Sequence, residues 1–263
     1  MSASMTSPLR TMIRDLHRRR GRERRGLALA EGVRLVEEAL DAGLPLRGAA
    51  ISPALEATTR GRALKSALER RGVRVEAVSD GELEQLADTE HPQGVVAVVE
   101  PRLWSLDDIA AAPGRPVLVL DGIQDPGNVG TILRSALGLG AAGVIALKGT
   151  ADLTNPKVVR GSMGALFRLP AVPGEVATYL AWAAERGVET WVTAADGTPI
   201  EPGGASGHRA PVGLVLGNEG AGVSPALEAA AVRRVAVRLA PGIESLNVAV
   251  AAAILLWEIA RGE

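Results

Sequence analysis

The 263-residue chain contains no cysteine, and aromatic residues make up only 2% of it. The absence of cysteine excludes disulfides, thiolate nucleophiles and Cys-ligated zinc or iron–sulfur centres. The three histidines, His17, His91 and His208, are too widely separated in sequence to have the spacing of metal ligands. We therefore expect no metal site.

Long apolar runs are also absent. No run reaches the roughly 18 residues that a membrane-spanning helix needs, and the first residues are rich in arginine and lack the apolar core of a signal segment. Hydrophobic residues still make up 47% of the chain, enough for the core of one large domain or two ordinary ones. These features predict a cytoplasmic protein that has no contact with a membrane.

The net charge of −1 hides an asymmetry along the chain. Residues 1–25 carry eight arginines and two acidic residues, so their charge is +6 and that of the remaining 238 residues is −7. Such a run is typical of a solvated helix face, but arginine also binds phosphates in a bidentate manner. With few aromatic residues for stacking, recognition of a nucleic acid would depend on shape and phosphate contacts. The candidate residues for binding a nucleic acid are Arg18, Arg19, Arg20, Arg22, Arg24 and Arg25.

The first hundred residues show the pattern of a small α/β domain. Short apolar runs near 47–51, 73–78 and 95–100 predict buried strands. Helices are expected at 8–20, 31–42 and 60–71. Residues 1–100 therefore form one predicted domain, and the proline-containing segment 101–115 is predicted to be a linker.

Residues 116–263 alternate between strand-like and helix-like segments, which indicates a parallel sheet covered by helices on both faces. The strand-like segments are 117–121, 143–147, 189–194, 212–216 and 232–239. The helix-like segments are 129–139, 155–165, 174–187 and 245–261. In open sheets of this type, ligands bind at the carboxyl ends of the strands.

Gly138-Leu-Gly-Ala-Ala-Gly143 matches the G-x-G-x-x-G pattern of dinucleotide-binding proteins. That fingerprint requires a strand before it and a helix after it. Here a helix-like run ends at Leu139 and a strand begins at Val144, so the order is reversed. The glycines fit a helix C-cap followed by a tight turn. A nucleotide-dependent oxidoreductase is an alternative that only this misplaced pattern supports.

The first of three polar motifs runs from Asp121 to Asn128 and leads into the helix-like run 129–139. Its residues also suit an ordinary turn and helix N-cap. Arg134 lies six residues after Asn128, about one and two-thirds helical turns, so the two need not share a helix face. A loop position would let Asn128 turn toward the same cavity as Arg134.

The second motif, Gly217-Asn-Glu-Gly-Ala-Gly222, follows the apolar run 212–216. Its three glycines permit close approach of the backbone to a flat ligand, although a flexible loop with a solvated Glu219 is a simpler interpretation. The third motif, Glu244-Ser-Leu-Asn247, predicts a capped C-terminal helix when taken alone, with Ser245 as the N-cap.

These three motifs, in this order, resemble those of the SpoU (TrmH) family of RNA ribose 2′-O-methyltransferases. Residues 31–39 and 88–94 are similar to segments of the substrate-binding domain found in that family, so the resemblance covers nearly the whole chain. It implies an α/β fold of the SPOUT type, with a parallel sheet and a trefoil knot that holds S-adenosylmethionine. It also implies a homodimer.

The resemblance implies roles for individual residues. The positions that match catalytic and substrate-binding residues are Asn128, Arg134, Glu219, Ser245 and Asn247. The positions that match cofactor-binding residues are Leu216, Gly217, Asn218, Gly220, Val237, Ile243 and Leu246. One departure is visible: where the family commonly has Ile-Pro-Met and then Gly, this chain has Val237-Arg-Leu239 and Pro241. We expect Gly242 to restore the flexibility of this loop.

Methyl transfer from a sulfonium requires the ribose 2′-oxygen to lie in line with the methyl carbon, so positioning supplies much of the rate. A guanidinium group stays positively charged in proteins, so Arg134 cannot act as a proton acceptor. We interpret it as a stabiliser of the developing alkoxide and a clamp on a phosphate, and leave the proton acceptor open.

The resemblance favours ribosomal over transfer RNA as the substrate, because minimal family members that act on tRNA often lack an N-terminal domain. A role in antibiotic resistance is an alternative for the same reason. A further alternative is an RNA-binding or ribosome-assembly protein that has kept the fold and lost turnover.

Overall fold

The computed structural model describes residues 7–200 and 208–260. The chain divides into two compact units, each with its own β-sheet. Unit 1 comprises Met1–Leu103 together with Thr154–Phe167, and unit 2 comprises Trp104–Leu153 together with Arg168–Glu263. Among the described residues, no helix is long and apolar enough to cross a membrane.

Strands and helices are numbered in chain order. The strands are β1 (Ala28–Glu31), β2 (Leu46–Ile51), β3 (Val75–Ala77), β4 (Val95–Val99), β5 (Val117–Asp121), β6 (Gly143–Leu147), β7 (Ala171–Gly174), β8 (Glu189–Pro199), β9 (Val212–Gly217) and β10 (Arg233–Ala236). The helices are α1 (Pro8–Leu16), α2 (Arg19–Arg25), α3 (Val33–Asp41), α4 (Pro53–Glu56), α5 (Thr59–Arg70), α6 (Asp80–Glu84), α7 (Pro126–Gly138), α8 (Pro156–Gly161), α9 (Val176–Arg186), α10 (Pro225–Ala229) and α11 (Val248–Ala260).

Unit 1 is built on a mixed sheet with the strand order β1-β4-β2-β3. The central strand β4 has the sequence Val-Val-Ala-Val-Val, is fully buried, and pairs antiparallel with both β1 and β2. Helix α1 begins at a Ser7 cap and places Leu9, Ile13 and Leu16 on one buried face, at the spacing of an amphipathic helix. The core of this unit therefore lies between α1 and the sheet.

Helix α2 contains most of the arginine run, and Arg22 on it is buried, with 4% of its surface exposed. Its guanidinium donates hydrogen bonds to the carbonyl oxygens of Leu16 at 3.0 Å and His17 at 2.9 Å. These carbonyls end α1 and would otherwise lack a helical partner. Arg22 therefore stabilises the turn between α1 and α2, which corrects its assignment as an RNA-binding residue.

We expect Arg22→Gln to lower the free energy of unfolding by about 1–3 kcal/mol, because buried carbonyls lose their donor. Arg20→Gln is the matched control: Arg20 lies on the same helix, is exposed, and has no hydrogen bond or ion pair with another described residue. Its substitution should change stability by less than about 0.5 kcal/mol. Urea unfolding followed by circular dichroism measures both, and equal stability of the two variants would contradict this role for Arg22.

Unit 2 contains the predicted parallel sheet, which is confirmed. Its six strands are all parallel and lie in the order β10-β8-β9-β5-β6-β7. From β5 the sheet extends through β6 to β7 at one edge. The next strand in the sequence, β8, lies on the other side of β5, and β9 lies between β8 and β5. The pairing of Asp121 with Gly217 places the carboxyl ends of β5 and β9 side by side. Such a reversal of strand order is where open α/β sheets bind ligands.

Two strands were not predicted from the sequence. Strand β1 has four residues, and β7 is a four-residue edge strand that contains Pro173, so neither has the long apolar run that marks the other strands. The interpretation of Gly138 to Gly143 as a helix end and turn is confirmed. Helix α7 ends at Gly138, Gly140 has a φ of +80°, and β6 begins at Gly143.

Candidate active site

The loops that follow β5 and β9 are held together by the side chain of Asn218. Its Nδ2 donates to the carbonyl oxygen of Gly122, in the loop after β5, at 2.8 Å. Its Oδ1 accepts hydrogen bonds from the backbone N–H groups of Gly220 and Ala221, both at 2.9 Å. A second link joins Asp121 Oδ2 to the backbone N–H of Ser224 at 2.7 Å. The two loops therefore form one polar platform.

Glycine at position 217 is required by the loop itself. The backbones of Asn218 and Gly222 exchange two hydrogen bonds, of 3.0 and 2.8 Å. A Cβ on Gly217 would lie 2.5 Å from the carbonyl carbon of Gly222. The glycines of this motif were expected to allow close approach of a ligand. The observed close approach at Gly217 is instead to the backbone of Gly222 in the same loop.

A chain of side-chain hydrogen bonds connects the three motifs. Asn128 Nδ2 donates to Glu219 Oε1 at 2.5 Å, and Asn247 Nδ2 donates to Asn128 Oδ1 at 2.9 Å. Asn128 is half-buried between these partners, and Glu219 and Asn247 are exposed. Three predicted catalytic residues from three remote parts of the sequence therefore meet in unit 2.

The orientations of these amides follow from the N-terminus of α11. Asn247 Oδ1 accepts from the backbone N–H groups of Ala249 at 2.9 Å and Val250 at 3.3 Å, so Nδ2 is the Asn247 atom that faces Asn128. The Asn128 carbonyl must then face Asn247, and its NH₂ group faces Glu219. The cap of α11 is thus Asn247, and the prediction that Ser245 is the cap is wrong. Ser245 is exposed in the segment that precedes the helix.

Asn128 lies in the first turn of α7 and not in a loop, as the sequence interpretation had it. Asp125 is the N-cap, and its Oδ1 accepts from the backbone N–H of Asn128 at 2.7 Å. The helix therefore fixes the direction of Asn128 relative to Arg134: six residues correspond to a rotation that leaves them about 120° apart around the axis. Arg134 is exposed and has no hydrogen bond or ion pair with another residue in the described ranges.

The predicted cofactor-binding residues come from two loops. Leu216 is buried at the end of β9, and Gly217, Asn218 and Gly220 follow it in the platform loop. Val237 is half-buried just after β10, whereas Ile243 and Leu246 are 55% and 37% exposed.

The departure at Pro241 produces a defined turn. Ile243 donates its backbone N–H to the carbonyl of Ala240 at 3.2 Å, and Gly242 has a φ of +87°, a conformation that favours glycine. Proline followed by glycine is the usual sequence of such a type II turn. The loop that ends in Asn247 is therefore shaped by residues that differ from the common family pattern.

Two groups of the first motif make contacts that the sequence did not predict. Asp121, the last residue of β5, accepts a hydrogen bond from the backbone N–H of Ser224, and the carbonyl of Gly122 accepts one from the Asn218 amide. An acid at the end of a buried apolar strand was the one signal that pointed to Asp121. Within residues 7–200 and 208–260, no cluster of three or more His, Asp or Glu residues has the arrangement of a metal site.

The remaining arginines of the run differ in their pairing. Arg24 and Arg25 both bind Asp15, at 2.8 and 2.6 Å, and the hydrogen bond from Arg25 lowers the pKa of that carboxyl group. Arg19 pairs with Glu23 at 2.7 Å. Arg18, like Arg20, is exposed and makes no such pair with another described residue, so these two present the least compensated charge of the predicted set.

Comparison with known proteins identifies the family of this chain. The model of the SpoU rRNA Methylase family matches residues 115–257, and that of the MRM3-like substrate binding domain matches residues 11–97. The chain is 35% identical to the 23S rRNA (guanosine(2553)-2′-O)-methyltransferase RlmP of Bacillus subtilis, over 94% of this chain and 93% of RlmP.

Two solved structures are also similar to the whole chain. The AdoMet-bound rRNA methyltransferase from Sinorhizobium meliloti has a TM-score of 0.84 and 31% identity, with 99% of this chain and 97% of that one covered. The SpoU methyltransferase AviRb from Streptomyces viridochromogenes, in complex with AdoMet, has a TM-score of 0.81 and 30% identity, with 97% and 98% covered. The chain belongs to the SpoU rRNA methylase family.

The isosteric change Asn128→Asp tests the hydrogen-bond chain. It replaces the donor to Glu219 by a carboxylate oxygen, so two negative charges come into contact, and we expect methyl transfer to fall by a factor on the order of 100. Asn128→Ala removes the hydrogen bonds to both Glu219 and Asn247 without adding a charge, and should also reduce methyl transfer. A methyl-transfer assay with labelled cofactor measures both.

The pH profile and a second substitution make this test specific. Repulsion raises the pKa of one carboxyl group of the Asp–Glu pair, and its protonated form can donate as the amide did. The defect of Asn128→Asp should therefore shrink as the pH falls, and Asn128→Asp/Glu219→Gln should recover at least part of the loss. A defect that is independent of pH and not relieved by Glu219→Gln would contradict the proposed contact.

Proposed function

We propose that this protein transfers the methyl group of S-adenosylmethionine to a ribose 2′-oxygen in ribosomal RNA. The observation that carries the proposal is the meeting of Asn128, Glu219 and Asn247 at the end of the parallel sheet, in a chain that belongs to the SpoU family. RlmP, which is similar over nearly its whole length, is named as an enzyme of this reaction on 23S rRNA.

The cofactor is S-adenosylmethionine, which is present in both solved structures of relatives described above. The residues available here fit it. The exposed apolar side chains of Ile243 and Leu246 suit the nonpolar faces of an adenosine group, and the loop around Gly217 offers backbone donors and acceptors. When bound, the cofactor supplies an electrophilic methyl group on a sulfonium.

The polar residues of the site would orient the RNA ribose. After its two internal hydrogen bonds, Asn128 keeps one N–H and one lone pair, and Glu219 keeps a second carboxylate oxygen. These groups can bind ribose hydroxyls in a fixed direction because the caps of α7 and α11 hold the amides in place. Ser245 adds a hydroxyl group from the same loop as Asn247.

Arg134 acts as a stabiliser of the developing 2′-alkoxide and as a clamp on the adjacent phosphate. Its position supports a role across a dimer interface. Arg134 is exposed on α7, and Leu137 on the same helix is an exposed apolar residue with 38% of its surface accessible. An arginine that has no local partner and borders an apolar surface fits a site that a second chain completes.

We propose a two-fold homodimer that packs through α7 and α11, which lie against each other in unit 2. Val250, Ile254 and Trp257 are 48%, 37% and 46% exposed, and their spacing of four and three residues places them on one face of α11. Three large apolar residues on one helix face are more than isolated surface residues, and burial by a second copy would remove them from water.

We also propose domain boundaries and a cellular location for this protein. Residues 1–100 are proposed to form an RNA substrate-binding domain, 101–115 a linker, and 116–263 the catalytic domain with a trefoil knot. In the structure, Thr154–Phe167 groups with unit 1 and Trp104 begins unit 2. Support comes from the two family matches, which end at residue 97 and begin at residue 115. We also propose that the protein acts in the cytoplasm.

Methyl transfer to unmodified rRNA tests the function. Purified protein is incubated with methyl-labelled S-adenosylmethionine and an rRNA transcript, and the RNA is then digested to nucleosides. We expect the label in a 2′-O-methylnucleoside. Label on a base would overturn the proposed reaction, and tight RNA binding without any transfer would favour the assembly-factor alternative.

Substitutions of Arg134 test its role. Arg134→Ala should reduce methyl transfer by a factor on the order of 100 or more, because a preorganised charge-stabilising donor is lost, while cofactor affinity and dimerisation stay near those of the wild type. Arg134→Lys should not restore full activity, since a point charge does not reproduce the planar guanidinium.

Arg115→Ala is the matched control for Arg134→Ala, since Arg115 is an exposed arginine elsewhere in unit 2. Calorimetry with S-adenosylmethionine, sedimentation and the transfer assay are applied to all variants. An active Arg134→Ala protein would show that Arg134 is not catalytic, and a monomeric wild type would overturn the dimer.

A further inference from the structure

Unit 1 contains a cavity of about 670 Å³, within the range of about 300–1,000 Å³ that is typical of ligand sites. It is lined by the start of α3 and by Thr89, His91 and Gln93, which lie in the two parts of the sequence that resemble the family's substrate-binding segments. Arg160 and Met163, from the segment Thr154–Phe167 of the same unit, also line the cavity. None of the predicted site residues lies in this lining.

Two acidic residues beside the cavity, Glu31 and Asp88, are engaged by internal partners. Glu31 accepts hydrogen bonds from the backbone N–H groups of Asp88 at 2.7 Å and Thr89 at 3.2 Å. Asp88 in turn binds the guanidinium of Arg160 at 3.0 Å. Because these carboxylates are committed to internal partners, they fix the segment that contains residues 88–93 and attract few further cations.

Several donors remain available in the lining. Arg34 and His91 are exposed, and neither has a hydrogen bond or ion pair with any residue in the described ranges. Gln93 accepts from the backbone N–H of Val33 through Oε1 at 3.2 Å, which leaves its NH₂ group as a donor. A guanidinium, an imidazole and an amide with few competing acceptors match a phosphate group.

Part of the lining is apolar, and this part contains a strained residue. Leu35, Ala54 and Met163 supply nonpolar surface. Met163 has a φ of +50°, and among the described residues it is the one non-glycine residue with positive φ. Strained backbone of this kind persists where surrounding structure enforces it, and it is concentrated at ligand sites. Its thioether side chain is polarisable and suits the face of an aromatic ring.

We propose that this cavity holds one unpaired nucleotide of the RNA substrate, with its phosphate on Arg34 and Gln93 and its base against Met163 and Ala54. The inference rests on the proposed function in that it takes RNA as the substrate. Arg34, Ala54, His91 and Gln93 are all exposed, so the cavity is open along its rim. An open rim lets the RNA strand enter and leave on either side of the bound nucleotide, which a site for a free nucleotide does not require.

Two substitutions and two matched controls test the cavity. Arg34→Gln removes the unpaired guanidinium and should weaken binding of an unmodified 23S rRNA transcript about tenfold, with a decrease of about 0.7–0.9 in the slope of log affinity against log salt. Arg70→Gln is its control, since Arg70 is exposed, unpaired among the described residues and absent from the lining.

Ala54→Phe fills the cavity and should weaken RNA binding to a similar degree, whereas Ala57→Phe, at an exposed position outside the lining, should not. Circular dichroism and cofactor affinity are measured for all four variants. RNA affinities of Arg34→Gln and Ala54→Phe equal to those of their controls would overturn the proposal.

Cross-linking gives a readout that does not depend on methyl transfer. An rRNA transcript with 4-thiouridine is irradiated with the wild-type protein, and the labelled peptides are identified by mass spectrometry. We expect cross-links to residues 31–35 or 88–93 that are lost in Ala54→Phe. Cross-links confined to other segments would contradict the proposal even if the protein is an active methyltransferase.

Nucleoside monophosphates distinguish a site for an RNA nucleotide from a site for a free nucleotide. Adenosine and uridine 5′-monophosphates should compete with the transcript only weakly, since they make a single contact without the rest of the RNA. Competition at concentrations near those of the RNA would mean that the cavity is a free-nucleotide site, and would overturn the assignment to RNA. Failure of methyl transfer with intact cross-linking would affect the proposed function alone.

Discussion

The side-chain amide of Asn128 joins three loops that are remote in sequence. Its donor binds Glu219, 91 residues away, and its acceptor binds Asn247, 119 residues away. The orientations of both amides are fixed. Asn247 caps α11 through Oδ1, so only its Nδ2 faces Asn128, and the N-cap Asp125 of α7 holds the backbone N–H of Asn128. The polar end of the site is therefore set by two helix ends, and its side-chain amides are oriented by internal contacts alone.

The sheet explains why these loops meet. Strands β5 and β9 are adjacent and buried, so the first and second motifs emerge side by side at the reversal of strand order. Asn218 and Asp121 then tie the two loops to each other through backbone groups. Asn218 and Gly217 therefore determine the shape of the platform through contacts within the protein itself.

Local pattern was enough to predict most of this fold. Buried strands such as 117–121 and 143–147 are continuous apolar runs, and their bounds were predicted as observed. Strands β1 and β7 are short and lack that pattern. The family motifs brought Asn128, Glu219 and Asn247 into the candidate site, but no local rule could show which oxygen meets which amide.

The errors share a physical cause, namely that capping and burial depend on distant partners. Ser245 and Asn247 are both good N-caps, and the choice between them follows from where α11 begins against the rest of unit 2. Arg22 looks like its neighbours in a basic run, yet α2 turns it onto the end of α1. A periodic pattern shows which face of a helix is apolar, but it does not show which single arginine the next helix will cover.

Mapping of ribose methylation in ribosomal RNA tests the account most directly. RNA is prepared from cells that lack this protein and from the same cells supplied with the wild type or with Asn128→Asp, and 2′-O-methylated positions are located by mass spectrometry. The account predicts one ribose methylation that disappears without the protein, returns with the wild type and does not return with Asn128→Asp. Identical methylation maps in all three preparations would contradict it.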